Sequence, residues 1–125
     1  MHMMTSRIFA LSAAVAMLVG CATAAFAHAR LERASPAVGS TVKGSPPEIR
    51  LTLSEELEVA FSTIRVVDDK GQQVDNGDKA LDPANRKILK VTLRSLPPGT
   101  YQVIWRVLSV DTHVTEGDYK FRVAP

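Results

Sequence analysis

Two side chains near the C-terminal end of this sequence, Asp111 and His113, stand two positions apart with Thr112 between them. On an extended backbone, residues i and i+2 project to one side, about 7 Å apart along the chain. A carboxylate and an imidazole so placed can fill two adjacent coordination positions of one metal ion. The same pair also fits a turn-capping aspartate beside a surface histidine, so spacing alone leaves both uses open. His28 shifts the balance. If the chain is cut after Ala27, His28 becomes the first residue, and its α-amine and ring nitrogen can chelate together. With Asp111 and His113 the donor set is then three nitrogens and one oxygen. Nitrogen-rich, mixed N/O sets suit Cu(II) in a tetragonal plane, and the Irving–Williams order places Cu(II) above Zn(II) at a comparable site.

No sulfur donor competes with that assignment. All four methionines (Met1, Met3, Met4, Met17) and the single cysteine, Cys21, precede His28. Thiolate or thioether would favour Cu(I) instead. Without cysteine, the segment from His28 onward forms no disulfide and must hold itself together through its core. Catalytic use of the same residues is poorly supported. Ser109, Asp111 and His113 alternate along one stretch, but a hydrolase triad needs the imidazole between the other two groups and an oxyanion hole nearby. No Gly-x-Ser-x-Gly and no glycine-rich phosphate loop is present.

Whether His28 comes first depends on the leader. Arg7 is followed by an apolar run from Ile8 to Gly20, and the stretch closes at Ala25-Phe26-Ala27. Small residues at the first and third of those positions suit a signal peptidase, so residues 1–27 are expected to be a cleaved signal peptide. The run is shorter than the roughly 20 apolar residues of a bilayer span. Leu18-Val19-Gly20-Cys21 resembles a lipobox, and processing there would make a lipidated Cys21 the first residue. His28 would then lack a free amine. Cleavage after Ala27 is the expectation, because it completes the donor set.

The elements that position these groups are short strands. Residues 28–125 suffice for one small domain. Of the 15 basic residues only Arg7 lies in the leader, as do none of the 13 acidic ones, and the signs are interspersed. A nucleic-acid binder would cluster its basic residues on one face. Leu31 to Pro36 opens the domain, and Ser35 to Ser40 and Gly44-Ser45-Pro46-Pro47 are turns. Glu48 to Ser54 alternates, with Ile49, Leu51 and Leu53 on one face. Ser62 to Asp68 is β-branched and ends at the turn Asp68-Asp69-Lys70-Gly71. Residues 72–86 are polar loop with one weak strand at most. Lys87 to Leu93 turns Leu89, Val91 and Leu93 inward, and Tyr101 to Leu108 does the same with Tyr101, Val103, Trp105 and Val107. Tyr119, Phe121 and Val123 complete the set, with Lys120 and Arg122 outside. Glu55 to Phe61 fits either a short helix or a β-connection. About seven short strands at regular turn spacing predict an all-β sandwich or small barrel.

Several motifs occur in order along this domain: His28-Ala29-x-Leu31, Ser35-Pro36-Ala37-x-Gly39-Ser40, Leu53-Ser54-Glu55-x-Leu57, Pro98-Gly99-Thr100-Tyr101-x-Val103-x-Trp105-Arg106, and Ser109-x-Asp111-x-His113 followed by Gly117. Together they resemble the bacterial periplasmic copper resistance protein family CopC/PcoC, over essentially all of residues 28–125. The resemblance implies a Greek-key β-sandwich of immunoglobulin-like or cupredoxin-like shape, located in the periplasm, that carries or sequesters copper without catalysis. It implies Cu(II) ligands at His28 (amine and ring), Asp111 and His113. Glu55 falls on the glutamate of the family's Ser-Glu motif and is expected to orient a ligand from behind, although a solvent-facing glutamate fits as well. Trp105 and Tyr101 match family positions and are expected in the core. The implied partners are the copper ion and an inner-membrane copper transport protein; no oligomeric state is implied. Two departures stand out. Some members carry a methionine-rich loop for Cu(I), whereas residues 69–86 here are sulfur-free, and the proline that usually follows the Asp-x-His is Val114.

Two other functions use the same residues differently. An N-terminal histidine joined by a second one also resembles the copper site of lytic polysaccharide monooxygenases. Those enzymes keep coordination positions open for oxygen on larger domains, whereas Asp111 would fill one here. A metal-free interaction module anchored at Cys21 would follow from processing at the lipobox.

Overall fold

The computed structural model describes residues 29–125; His28, Cys21 and the leader assigned to residues 1–27 lie outside the described residues. Eight strands form where apolar and polar residues alternate between turns: β1 (Leu31–Ser35), β2 (Thr41–Lys43), β3 (Glu48–Leu53), β4 (Thr63–Val67), β5 (Ala80–Asp82), β6 (Asn85–Thr92), β7 (Gly99–Leu108) and β8 (Val114–Ala124). They make two four-stranded sheets, ordered β1-β3-β6-β5 and β2-β8-β7-β4. Neighbours run antiparallel except β2 and β8, which are parallel. Only β5–β6 and β7–β8 are consecutive and adjacent. The other connections cross between sheets, which is the Greek-key sandwich expected.

The sheets face each other rather than closing into a barrel, but one side is stitched. Gln73 bridges Val67 of β4, and Asp75 bridges Leu93 just past β6. The buried Asp75 carboxylate accepts from the Val66 N–H at 2.8 Å, and from the Gln73 side chain and the Gly77 N–H at 2.9 Å each. A buried carboxylate is tolerable only when satisfied in this way.

The core follows the alternation. Ile49, Leu51 and Leu53 of β3 are fully buried, and they meet Leu89 and Val91 of β6, Val103 and Val107 of β7 and Phe121 of β8. Each such large side chain stabilises the fold by about 1.5–3 kcal/mol relative to exposure. Trp105 and Tyr101 are buried in the same core, as expected. Trp105 lies opposite Gly117 in the β7–β8 ladder, and its ring covers that glycine. A Cβ on Gly117 would sit 2.6 Å from the indole. Tyr119 anchors the turn after β1 by donating from its hydroxyl to the Pro36 carbonyl at 2.9 Å, and burial pushes its phenol up.

Three details differ from the sequence reading. Eight strands replace about seven, because Thr41–Lys43 is too short to show alternation among its flanking turns. The last strand begins at Val114, well ahead of Tyr119. Glu55 to Phe61 is neither helix nor plain connection: Leu57 bridges Ser109, and Val59–Phe61 is a 3-10 turn. Tertiary packing overrides helix propensity here. Leu57 is fully buried, and the Ser62 hydroxyl accepts from the Leu108 N–H at 3.1 Å while donating to the Glu58 carbonyl at 2.8 Å.

Candidate metal centre

One end of the sandwich gathers the start of β1, the link after β3, the end of β7 and the start of β8. Ala29 is fully buried. Next to it, the Ser54 N–H donates to the Arg30 carbonyl at 2.9 Å, and the Arg30 N–H donates to the Ser54 hydroxyl at 2.8 Å. A short way along the same link, the Glu56 carbonyl accepts from the Val110 N–H at 3.0 Å, and the Glu58 N–H donates to the Leu108 carbonyl at 2.9 Å. The backbone that precedes β1 is therefore tied, through residues 54–58, to the loop that carries Asp111 and His113.

That loop is a turn, which corrects the extended geometry assumed from spacing. Leu108 and Val114 are the last paired residues of β7 and β8, so residues 109–113 must reverse the chain. The Thr112 N–H donates to the Ser109 carbonyl at 2.9 Å, and the Ser109 N–H closes the loop on the His113 carbonyl at 3.0 Å. Thr112 takes a φ of +73°, a left-handed conformation that a β-branched residue adopts only at a cost. Strain of this kind concentrates at functional loops. The turn still brings the two side chains together. Asp111 Oδ1 lies 3.4 Å from His113 Nδ1.

Ser109 fixes this pair from beneath. It is fully buried, and its hydroxyl donates to the Asp111 carboxylate. That hydrogen bond, opposed by partial desolvation and aided by the neighbouring imidazole, holds the Asp111 carboxyl below the usual carboxylate range. The ionised, acceptor-only form of Asp111 is thereby favoured. The sequence places Ser109 in the Ser109-x-Asp111-x-His113 motif without assigning it a role; that role comes from its burial and from the turn that aims its hydroxyl at Asp111. Ser109→Ala is expected to weaken metal affinity by about 10–100-fold, the usual cost of losing a group that orients a ligand, while the domain remains folded. Chelator competition alongside a melting curve measures both.

Both side chains keep nearly two-fifths of their surface accessible, although His113 Nδ1 itself is buried. Donors about 2.0–2.2 Å from one divalent ion at adjacent positions lie roughly 3 Å apart, close to the observed 3.4 Å, and an ion would require the imidazole to turn a ring nitrogen outward. Among the described residues no third His, Cys, Asp or Glu joins them in a cluster. Asp111 and His113 bring one carboxylate and one imidazole together, and this pair alone would need further donors from elsewhere to hold an ion. Of the other residues singled out from sequence, His28 lies outside the described residues, one covalent link before the buried Ala29. Glu55 sits half-buried on the bend between Ser54 and Leu57, in the link that joins the two halves of this end.

Comparison with known proteins adds to this geometry. Residues 31–124 match the CopC domain family. Protein YobA of Escherichia coli K12 is 38% identical over 99 residues, covering 78% of this chain and 80% of that protein. Copper resistance protein C of Escherichia coli is 35% identical over 114 residues, covering 86% and 90%. Copper transport protein CutJ of Bacillus subtilis is 30% identical over 99 residues, which are 78% of this chain but only 18% of that much longer protein. Among solved structures, CopC from Methylosinus trichosporium OB3b superposes with a TM-score of 0.74 at 34% identity, covering 78% of this chain and 95% of that one. PcoC from Escherichia coli, described as a methionine-rich copper resistance protein, gives 0.69 at 35% identity, covering 78% and 99%.

Proposed function

The chain belongs to the CopC domain family, and from that premise we propose that it is an exported, periplasmic carrier of a single Cu(II) ion. The leader, residues 1–27, is removed after Ala27. His28 then contributes its α-amine and ring nitrogen, Asp111 a carboxylate oxygen and His113 an imidazole nitrogen. Glu55 lies behind the N-terminal residue and steadies it. Copper is cargo in this reading, carried or sequestered without catalysis and passed to a copper transport protein.

One observation carries the proposal: Asp111 and His113 meet at 3.4 Å on a loop tied through residues 54–58 to the backbone that directly follows His28. Chain entry and half-site share one end of the fold. The oxidation state follows from donor type. Every sulfur atom of the sequence precedes His28, so residues 28–125 offer Cu(I) no thiolate or thioether, unlike PcoC, which is described as methionine-rich.

Nitrogen donors must shed protons before they bind a metal. Copper affinity is therefore expected to fall as pH is lowered from about 8 to 5, the range in which free amines and imidazoles titrate. The direction is set by proton competition: each proton taken up by a free donor stabilises the empty protein relative to the loaded one. Competition against a chelator of known pH dependence checks this, and an affinity that stays flat across the interval rules out these ligands.

A further inference from the structure

The chain enters β1 through a joint made at Ala29 and Arg30. Ala29 is fully buried, which fixes the depth of entry, but one methyl group does not fix its direction. Just beyond, the β1–β3 register shifts between Leu31 and Arg33, a bulge of the kind that re-aims a strand beside a functional site. The Arg30 side chain adds little, because its guanidinium meets Glu32 in solvent at 3.6 Å and exposed pairs of this kind are weak. The Arg30 backbone is held by Ser54. Continuing the Leu31–Leu53 register sets these two residues opposite each other, and the Ser54 N–H donates to the Arg30 carbonyl at 2.9 Å. In a regular hydrogen-bonded antiparallel pair the Arg30 N–H would donate in return to the Ser54 carbonyl. It donates to the Ser54 hydroxyl instead, at 2.8 Å. The side chain takes over from the backbone where the chain bends, at residues 54 and 55, and the bend carries residues 56–58 onto the loop of Asp111 and His113.

We propose that Ser54 is a positioning residue for copper: its hydroxyl, by holding the Arg30 N–H, aims the donors of His28 at the Asp111–His113 pair. The proposal rests on the carrier reading above and adds to it a side chain that acts through the backbone. Two residues span at most about 7 Å, so whatever fixes the Arg30 nitrogen confines the amine of His28 to a small volume beside the bend. A chain terminus is poorly ordered unless it is tied down, and ordering it at the moment of binding costs conformational entropy. The clamp forms when the domain folds, so the ion meets donors whose freedom is already reduced. Serine and threonine both supply the hydroxyl oxygen this needs, whereas valine has the shape of threonine without it.

The test compares Ser54→Thr with Ser54→Val in the mature protein, two changes alike in shape that differ in the hydroxyl. The Arg30–Ser54 bond is exposed, so water replaces it in Ser54→Val and the domain stays folded. Without copper the two proteins should differ in Tm by no more than the roughly 4–8 °C that one hydrogen bond represents. Cu(II) affinity, read by chelator competition, should stay within about twofold of the parent in Ser54→Thr and fall about 10–100-fold in Ser54→Val. A second readout separates aiming from general loosening. When one extra residue precedes His28, the amine is lost and the chelate is broken. In that background Ser54→Val should cost less than about threefold, because residues that act through one another do not add. Equal affinities of the Ser54→Thr and Ser54→Val proteins overturn the positioning role. So does a loss that is as large in the extended protein as in the parent, since Ser54 would then serve the fold as a whole. Failure of the parent itself to bind Cu(II) is a different result: it overturns the carrier reading, and the role of Ser54 with it.

Discussion

A single residue added ahead of His28 is expected to weaken Cu(II) binding by about a hundredfold or more. Groups that merely orient a metal ligand cost about 10–100-fold when lost, and a direct donor should cost at least the upper end. The added residue converts the α-amine of His28 into an amide, which no longer offers a readily deprotonated donor, while the imidazole is untouched. His28→Ala should weaken binding by as much or more, because it removes the ring from the chelate. Neither change alters any of the described residues, which begin at the buried Ala29, so the fold should be undisturbed. Melting curves of the copper-free proteins should therefore superimpose. If the extended protein binds Cu(II) as tightly as the parent, the amine is not a ligand.

Gly117→Ala is expected to destabilise the domain by about 1–3 kcal/mol, the usual cost of overpacking a well-filled core. The direction is informative. Glycine within a strand is ordinarily a weakness, so replacing it by alanine should help on backbone grounds alone. Here the new methyl would lie 2.6 Å from the Trp105 ring, and that clash dominates. For a domain of this size each kcal/mol lowers Tm by roughly 4–8 °C. Trp105→Leu removes the ring that the methyl meets, so the double variant should be more stable than the sum of the single changes implies, by about 0.5–3 kcal/mol. A Gly117→Ala protein that melts with or above the parent would show that the indole yields easily.

The strands that alternate strictly were legible from sequence. Ile49, Leu51 and Leu53, then Leu89, Val91 and Leu93, then the inward faces of β7 and β8 are buried as the period of two requires. What escaped notice depends on distant partners. Thr41–Lys43 is a strand only because Arg122–Ala124 runs parallel beside it. Phe61 ends a stretch that fits either a short helix or a β-connection, and its exposure goes with the 3-10 turn held between the buried Leu57 and Ser62. At the site, the residue types of Asp111 and His113 announced their chemistry, but i and i+2 spacing is the same in a strand and in a five-residue turn. Only the Leu108–Val114 pairing decides between them. Ser109 carried no signal by itself, because its use depends on burial and on the turn that aims it at Asp111.

Electron paramagnetic resonance of the naturally exported protein, titrated with Cu(II), interrogates the coordination sphere itself. One tetragonal centre per chain is expected, saturating at one equivalent and coupled to three nitrogens: the amine and ring of His28 and the ring of His113. A spectrum that remains that of hydrated copper, or a processed chain that keeps residues ahead of His28 yet gives the same three-nitrogen signal, would contradict it.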